Sequence, residues 1–223
     1  LQPTPVGAFR FNTDTSKMEY YDGNQWVNVT SDSPDAQTGG TRGLIGAGVA
    51  PSPVGKTNIV DYANIQSTGN FVDFGDLVSD IYSQAACASR VRGIWGGGYS
   101  SATDQMSYLT ISSLGNSIDF GNLTISIGRR SSFSSATRGC WAGGGEDPAT
   151  ETDVIDYVTI ASTGNAKDFG NLTDARSRLS AVASPTRGVV MGGMDEPGNG
   201  SSNVIDYVTI ASTGNAADFG DLV

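Results

Sequence analysis

The sequence predicts an all-β protein in which four copies of one unit follow a short β-rich leader. Three observations support this fold class. A set of motifs recurs four times along the chain, glycine accounts for 30 of the 223 residues, and runs of β-branched residues are bounded by Gly, Asn, Asp and Ser. This combination is typical of short strands joined by tight turns. It disfavours helices, because glycine and β-branched residues are poor helix formers.

The leader, residues 1–30, is predicted to form a three-stranded β-meander. Polar clusters at residues 14–17 and 22–23 separate three strand-like runs that are rich in Phe, Tyr and Trp. A meander this short buries little surface by itself. Its aromatic side chains are therefore expected to pack on the repeats, on sister chains or on another protein, and the leader is predicted to serve attachment or oligomerisation.

Residues 31–223 hold the repeats, which share four motifs in one order. The motifs are an Arg-Gly turn (Arg42, Arg92, Arg138, Arg187), a tyrosine strand (Tyr62, Tyr108, Tyr157, Tyr207), a Gly-Asn pair (Gly69, Gly115, Gly164, Gly214) and an Asp-Phe-Gly-x-Leu string (Asp73, Asp119, Asp168, Asp218). The tyrosines are 46, 49 and 50 residues apart, and residues 154–166 are identical to residues 204–216. A fixed period of this kind indicates a repeat architecture.

Each repeat is predicted to contain four strands, a to d. In the third repeat these are residues 131–136, 140–145, 154–161 and 167–172, with Gly164 in the c–d turn at positive φ. Four strands in about 45–50 residues is the size of a propeller blade. We therefore expect a four-bladed β-propeller, with residues 35–40 as the first strand a. An open stack, or a ring shared between chains, is the alternative, because the sequence shows no tie between the ends.

The repeated side chains have predicted structural roles. The phenylalanine and leucine of each Asp-Phe-Gly-x-Leu string should be buried between repeats; they are Phe74, Phe120, Phe169, Phe219, Leu77, Leu123, Leu172 and Leu222. Antiparallel strand order brings the a–b and c–d turns to one end of a blade. Each repeated arginine is therefore expected to bond the motif aspartate or turn carbonyls of its own or a neighbouring repeat.

Composition argues against several functions. The net charge of −10 disfavours nucleic-acid binding. The absence of histidine removes the usual general base and the commonest metal ligand. Two cysteines, Cys87 and Cys140, are too few for a disulfide framework or a four-cysteine zinc site, and they are predicted to be small buried hydrophobic residues. We predict a protein that is not an enzyme and that uses no cofactor and no metal.

One motif imitates a nucleotide site. Residues 50–57 read APSPVGKT, which fits a relaxed phosphate-loop pattern. A phosphate loop must open a helix whose N-terminal amides hold the phosphate. The segment that follows, NIVDYANIQ, is instead predicted to be strand c of the first repeat, so a nucleotide site is not expected.

The repeat motifs together carry a family resemblance. Glycines end strand b, a tyrosine strand follows, and an aromatic residue lies in strand d, as in TRGxxxGGG followed by IDYVTIASTGNAxDFGNLTxAR. Over residues 41–223 this pattern resembles kelch repeats, and more closely the kelch-like repeats of structural proteins from marine bacteriophages. It departs from ordinary kelch repeats in having Phe where strand d carries Trp, in Gly46-Ala47-Gly48, and in Ser107 before Tyr108. The leader string FNTDTSKMEYYDGNQWVNV resembles the β-meander of phage tail-fibre and adhesin proteins.

The resemblance implies a virion protein on the outer surface of the particle, a tail fibre or adhesin that contacts the host. The alternative is a capsid or tail decoration or cement protein with a purely structural role. The implied partners are other virion proteins, a host cell-surface glycan or protein, and further copies of the chain, since tail fibres are usually trimers. A carbohydrate-active enzyme ranks below both, because no pair of acidic residues stands apart from the repeat pattern.

The variable loops are predicted to carry any receptor site. Strand order places the b–c and d–a loops together at one end, and these loops differ between repeats whereas the a–b and c–d turns are nearly constant. The candidate binding residues are Tyr99, Asp104, Arg129, Arg130, Glu146, Asp147, Asp195, Glu196 and Asn199. Arg129 and Arg130 stand out because cations are scarce in this chain. Equal weight goes to the interpretation that these loops vary because nothing constrains them.

Overall fold

The computed structural model describes residues 4–13, 17–29, 41–52, 55–99, 103–146, 150–195 and 200–223. In these residues the secondary structure is entirely β, in antiparallel sheets of three or four strands. They include no helix, and so none with the length and hydropathy that crossing a membrane requires. The chain divides into two compact units, Leu1–Gln37 and Thr38–Val223.

The leader forms the predicted three-stranded sheet. Its strands are β1 (Phe9–Asn12), β2 (Lys17–Tyr21) and β3 (Trp26–Asn28), in the order β1-β2-β3. The β2–β3 turn is closed by Asp22, whose Oδ1 accepts hydrogen bonds from the amides of Asn24 and Gln25 at 2.8 Å. These two bonds lower the pKa of Asp22.

The repeats form the second unit. The first contributes β4 (Arg42–Ala50), β5 (Gly55–Asn64) and β6 (Val72–Asp76). The second contributes β7 (Ala85–Ala88), β8 (Arg92–Gly96), β9 (Gln105–Thr110) and β10 (Ile118–Asn122). The third contributes β11 (Ser131–Ser134), β12 (Arg138–Ala142), β13 (Val154–Thr159) and β14 (Lys167–Asn171). The four strands predicted for the third repeat are thus confirmed, with slightly shorter bounds.

The fourth repeat adds a small extra sheet to the common pattern. Its main sheet contains β16 (Ser180–Ala183), β17 (Arg187–Met191), β20 (Val204–Thr209) and β21 (Ala217–Asp221). The small sheet contains β15 (Arg176–Ser177), β18 (Met194–Asp195) and β19 (Gly200–Ser201). In the first repeat, residues 35–40, the predicted strand a, lie outside the described residues.

A glycine in strand d allows successive repeats to approach closely. Gly121 has a φ of +136°, and a Cβ on it would lie 2.5 Å from the carbonyl oxygen of Gly164 in the next repeat. No side chain fits at that distance. The glycine of the Asp-Phe-Gly-x-Leu string is therefore a packing requirement of the junction between repeats.

The apolar core lies between repeats rather than within one. Phe169 and Leu172 of the third repeat share a buried cluster with Val190, Val208 and Ile210 of the fourth. Corresponding clusters join the first repeat to the second and the second to the third. Each repeat therefore hides the apolar face of its neighbour, as stacked repeats must.

Closure of the repeats into a ring is not shown. Phe219 is 54% exposed, whereas its counterpart Phe169 is 2% exposed. The prediction that all eight motif phenylalanines and leucines are buried is therefore right for six and wrong for Phe219 and Leu222. The reason is that no following repeat covers them in the part of the chain that the structure describes.

Candidate functional site

Two tyrosines meet at the end of the repeats that carries the b–c and d–a loops. Tyr99 follows β8, and Tyr82 lies in the d–a loop between β6 and β7. The amide of Tyr99 donates to the carbonyl of Tyr82 at 2.7 Å, which holds the two loops together. Their rings contact edge to face, with centroids 5.5 Å apart. Both residues are half-buried.

Two cations flank these tyrosines. The guanidinium of Arg129 lies 4.4 Å from the ring centroid of Tyr99, and the Nζ atom of Lys56 lies 5.8 Å from that of Tyr82. Arg129 comes from the next d–a loop, has a φ of +55°, and donates a hydrogen bond to the carbonyl of Glu146. Lys56, Tyr82, Tyr99 and Arg129 together form what we call the tyrosine–cation cluster. It joins the start of strand β5 in the first repeat to loops of the second and third repeats.

The cluster has the chemistry of a site for an anionic, partly apolar ligand. Tyrosine offers a flat apolar face together with a hydroxyl group. Lysine and arginine bind carboxylate, sulfate or phosphate through charge-assisted hydrogen bonds. The repeated arginines also stack on tyrosines, but the tyrosine–cation cluster differs from those pairs because it joins two cations and two tyrosines from different repeats.

Arg130, which was predicted to bind a receptor, is an internal residue. Its guanidinium is buried and forms an ion pair with Asp156, with 2.6 Å between Nη1 and Oδ2. It also donates to the carbonyls of Trp141 and Val154 at 3.0 Å. Burial lowers the pKa of Arg130, and Asp156 opposes that effect. The prediction is wrong because Arg130, unlike its half-buried neighbour Arg129, turns inward to pair with a buried carboxylate.

A second buried ion pair of this kind occurs at the next junction. Its arginine comes from a different position in the d–a loop. Arg176 pairs with Asp206 at 2.5 Å, and both side chains are fully buried. Arg130 lies one residue before strand β11, whereas Arg176 lies four residues before the corresponding strand β16. In the second repeat the corresponding residues are Gln84 and Ser107, so that junction carries no ion pair at this place.

The remaining candidates do not join the cluster. Asp104 is half-buried, and its carbonyl accepts the amide of Leu123 at 2.7 Å. Asp195 lies in β18, within the small extra sheet. Asp147, Glu196 and Asn199 lie outside the described residues. Among the candidates, the structure thus brings together Tyr99, Arg129 and the backbone of Glu146. Sequence reasoning missed Tyr82 and Lys56.

The repeated arginines connect each repeat to the next at the opposite end. Arg42, Arg92 and Arg138 donate to the carbonyls of Ile111, Ile160 and Ile210 at 2.7, 3.0 and 2.9 Å. Each also stacks on the motif tyrosine of its own repeat. The predicted bond to turn carbonyls is confirmed for these three.

The motif aspartates have a different role from the one predicted. In the described residues no hydrogen bond joins them to the repeated arginines. Asp168 and Asp218 instead accept the amides of Gly170 and Gly220, two residues further along the strand, at 3.2 and 3.0 Å. All four motif aspartates, Asp73, Asp119, Asp168 and Asp218, are exposed. Asp168 and Asp218 thus cap the local backbone bulge, for which a short acceptor side chain suffices.

Two other sequence features are structural. The Gly-Lys-Thr motif begins strand β5 rather than a helix, as expected, so no helix N-terminus is present there to hold a phosphate. Cys87 and Cys140 are buried free thiols. Burial raises the pKa of both, in the case of Cys140 to about 12. Within the described ranges, no group of three or more His, Cys, Asp or Glu residues is placed to hold a metal ion.

Comparison of the chain with protein-family models gave no match, and comparison with curated proteins gave none.

Proposed function

We propose that this protein is a bacteriophage virion component, a tail fibre or adhesin that binds the host surface through the tyrosine–cation cluster. The observation that carries the binding role is the cluster itself, which lies on loops that differ between repeats and is held by a scaffold that does not. Recognition sites are commonly placed on loops supported by a rigid frame. The virion assignment is supported by the resemblance of the repeats and of the leader to phage structural proteins.

The proposal extends to the architecture. Each repeat is a kelch-like propeller blade, with strand a innermost. In support, strands a of successive repeats lie side by side, and the hydroxyls of Ser132 and Ser134 in β11 donate to the carbonyls of Ala86 and Ala88 in β7 at 2.7 and 2.8 Å. Between repeats, the backbone hydrogen bonds of the outer strands d in the described residues run to the c–d turn of the next repeat. The repeats therefore contact one another along an inner row of strands.

The ligand class that fits the cluster is an anionic cell-surface glycan, carboxylated or sulfated. A sugar ring packs on an exposed tyrosine face, and the arginine and lysine neutralise the anionic substituent. A protein ligand would need a larger apolar surface than two half-buried tyrosines provide. An enzymatic role finds no support, because the buried carboxylates of Asp156 and Asp206 are occupied by arginine and threonine partners.

A glycan array carrying neutral, carboxylated and sulfated glycans tests this proposal. We expect the protein to bind anionic glycans, and Arg129→Glu and Tyr99→Ala each to weaken binding about tenfold or more, as loss of a central contact does. Arg178→Glu is the matched control, because Arg178 occupies the equivalent loop position in the following repeat, at a φ of +56°. Binding that is unchanged in Arg129→Glu, or equally reduced in Arg178→Glu, would contradict the assignment.

A decoration or cement role is the second candidate, and the leader favours it. Phe9 and Phe11 of the leader are exposed, as are Met18 and Tyr20. Exposed aromatic side chains close together in a small sheet are typical of a surface that is buried in an assembly. Deletion of the protein from particles distinguishes the two roles. Loss of adsorption supports the adhesin, whereas loss of particle heat stability with normal adsorption supports the decoration role.

A further inference from the structure

We propose that a second copy of this chain docks head to tail, so that the last repeat of one copy covers the first repeat of the next. The back face is the surface of the last repeat formed by Val182, Arg187, Phe219, Leu222 and the backbone of β21. The front face is the surface of the first repeat formed by Gly43, Ile45, Ile65 and residues 69–71. The inference rests on the junctions within the chain and not on the proposed function.

The three internal junctions are built from the same backbone hydrogen bonds. In each, the amide of the turn glycine donates to the carbonyl of the preceding repeat's motif phenylalanine. These pairs are Gly115 with Phe74, Gly164 with Phe120 and Gly214 with Phe169, at 2.9, 2.7 and 2.7 Å. A second bond follows two residues later, and the turn asparagine accepts an amide of strand d at 3.1 Å in every junction. A junction therefore needs a strand d on one side and a Gly-Asn turn on the other.

The back face of the last repeat is an unused half of such a junction. Val182 corresponds to Phe133 of the previous repeat, which is 4% exposed beneath Gly188, whereas Val182 is 55% exposed. Phe219 and Leu222 are exposed in the same way. A Cβ on Gly220 would meet no atom within 4 Å, although Gly75, Gly121 and Gly170 each lie against a neighbouring turn. The guanidinium of Arg187 stacks on Tyr207. In the described residues it has no hydrogen bond to an isoleucine carbonyl, whereas Arg138 donates to the carbonyl of Ile210.

The front face of the first repeat is the complementary unused half. Ile65 corresponds to Ile111, Ile160 and Ile210, which follow strand c and are buried under the preceding repeat; Ile210 is 1% exposed, whereas Ile65 is 70% exposed. Ile45 holds the place of Trp95, Trp141 and Val190, all buried, and it is exposed as well. The turn at residues 69–71 reads Gly-Asn-Phe, and its residues are exposed. It carries the Gly-Asn pair that makes the other three junctions.

The occupant that fits both halves at once is another copy of the chain. The two faces are halves of one interface type, so each is complementary to the other and neither is complementary to itself. The described residues carry both faces. The three internal junctions, which share the same hydrogen bonds, leave both faces uncovered. In the described residues the fourth repeat does not cover the first, and a second copy supplies the missing half. Such heterologous contacts form rings or filaments according to their rotation.

The fourth junction is then specified atom by atom. The amides of Gly69 and Phe71 donate to the carbonyls of Phe219 and Asp221 of the neighbouring copy, and the amide of Asp221 donates to Asn70 Oδ1. Arg187 donates to the carbonyl of Ile65. These are the contacts of the third junction moved one repeat along the chain, since Asp221 takes the place of Asn171 and Phe71 takes the place of Ala216.

Disulfide trapping tests the inference. The double variant Phe71→Cys with Asp221→Cys places one thiol on each face, while Cys87 and Cys140 are buried and slow to react. Under mild oxidation we expect covalent oligomers on a non-reducing gel. The matched control is Asp76→Cys with Ser117→Cys, which tests the same geometry at the first internal junction, where the Ser117 amide and Asp76 carbonyl are 2.7 Å apart. That control should form a disulfide within one chain.

Every outcome of the trapping experiment bears on the proposal. Oligomers linked through the introduced cysteines support it. A compact monomeric disulfide shows that the faces close within one chain and overturns it. Absence of any disulfide, while the internal control is fully linked, overturns it as well.

Sedimentation velocity over a range of concentrations gives a second measurement without cysteines. The unaltered protein should self-associate, and Phe219→Arg should raise the dissociation constant at least about tenfold, with an unchanged circular dichroism spectrum. Val78→Arg, at an exposed apolar residue outside both faces, should leave association unchanged. A protein that stays monomeric at all concentrations, or a Phe219→Arg variant that associates normally, would overturn the head-to-tail docking.

Discussion

Phe169 and Phe219 occupy the same place in consecutive repeats and differ only in what covers them. Both rings contact the motif tyrosine of their own repeat edge to face, with centroids 5.9 Å apart. Only Phe169 is also packed against the strands of a following repeat. The apolar area that each ring removes from water therefore differs greatly, although the local sequence is nearly identical.

This pair gives a direct test of junction packing. We expect Phe169→Ala to lower the free energy of unfolding by about 3–5 kcal/mol, as truncation of a buried phenylalanine does. Phe219→Ala should cost about 1 kcal/mol or less at concentrations where the chain is monomeric, because an exposed ring leaves little cavity. Urea denaturation of both variants measures the difference. Equal losses would show that the two rings share one environment.

The buried thiols respond to pH in a defined direction. Burial raises the pKa of Cys140 to about 12 and raises that of Cys87 as well. At pH 8 both thiols stay protonated in the folded protein, and the thiolate is the reactive form. We expect very slow reaction with Ellman's reagent at pH 8 in the native state and rapid reaction of two thiols in denaturant. Fast native reaction would place at least one thiol at the surface.

The same shifts set the sign of a stability change. In the unfolded chain a thiol loses its proton near its ordinary pKa of about 8.5. Above that pH the unfolded state binds fewer protons than the folded state, so the free energy of unfolding should fall as pH rises toward 12.

Sequence reasoning succeeded for repeated apolar residues that have a following repeat, and it failed for the adjacent loop arginines Arg129 and Arg130. The burial of Phe74, Phe120 and Phe169 follows from their period. Arg129 and Arg130 are adjacent in one loop, and only the positive φ of Arg129 and the buried carboxylate of Asp156 decide which turns inward. Neither feature is visible in a single sequence.

At the scale of strands and loops, the buried ion pair of the third repeat has an uncharged counterpart in the second, in which the Gln84 Oε1 atom is buried without a hydrogen-bond partner. Asp156 accepts bonds from Arg130 and from Thr124 of the preceding repeat. The second repeat instead carries Ser107 and Gln84 at the equivalent places. A charged and an uncharged version of one junction therefore coexist in this chain.

The uncharged version should substitute for the charged one. Arg130→Gln alone and Asp156→Ser alone should each cost about 3–5 kcal/mol, because each leaves a buried charge without its partner. The double variant, which copies Gln84 and Ser107, should cost less than the sum by at least about 1 kcal/mol. A double-mutant cycle by urea denaturation measures this coupling. Additive losses would mean that the two side chains stabilise the fold independently.

The elements themselves were largely predictable, because the β-branched strand c and the Gly-Asn turn have strong local signals. The tyrosine–cation cluster was only partly predictable. Tyr82 has Gly128 and Ser177 as its counterparts in the next two loops, so no period marks it. Its contact with Tyr99 depends on two loops from different repeats, and a single sequence does not show such a meeting.

At the scale of the whole chain, the leader and the repeats are separate compact units with a boundary between Gln37 and Thr38. Each unit has its own sheets, and no sheet in the described residues includes strands of both. A unit with its own core is expected to fold by itself.

Removal of the leader tests this independence. We expect a fragment of residues 38–223 to keep the far-ultraviolet circular dichroism of the repeats and a melting temperature close to that of the full chain. The reason is that the buried apolar clusters of the described residues lie among the repeats. A second fragment, residues 31–223, controls for the choice of residue 38 as the first residue of the fragment. A loss of cooperative melting in both would show that the leader is part of the folding unit.

The exposed terminal faces could not be predicted from sequence, because a repeat has the same pattern whether or not a neighbour covers it. Ile65 and Ile210 sit at matching places, and Ile65 differs only in lacking a preceding partner in the described residues. Burial at the ends of an array depends on the assembly rather than on the local residues.

The backbone hydrogen bonds between repeats bear on how the number of repeats can change by gene duplication. Amides and carbonyls are the same whatever side chains they carry, so the polar part of a junction depends on few side chains besides its glycines, namely the turn asparagine and the repeated arginine. A gene that duplicates one stretch of 50 codons, such as the spacing between Tyr157 and Tyr207, encodes a new repeat whose contacts to both neighbours already exist. The identity of residues 154–166 and 204–216 is what duplication of a segment would produce. Copying of this kind changes the number of repeats without requiring a new type of contact.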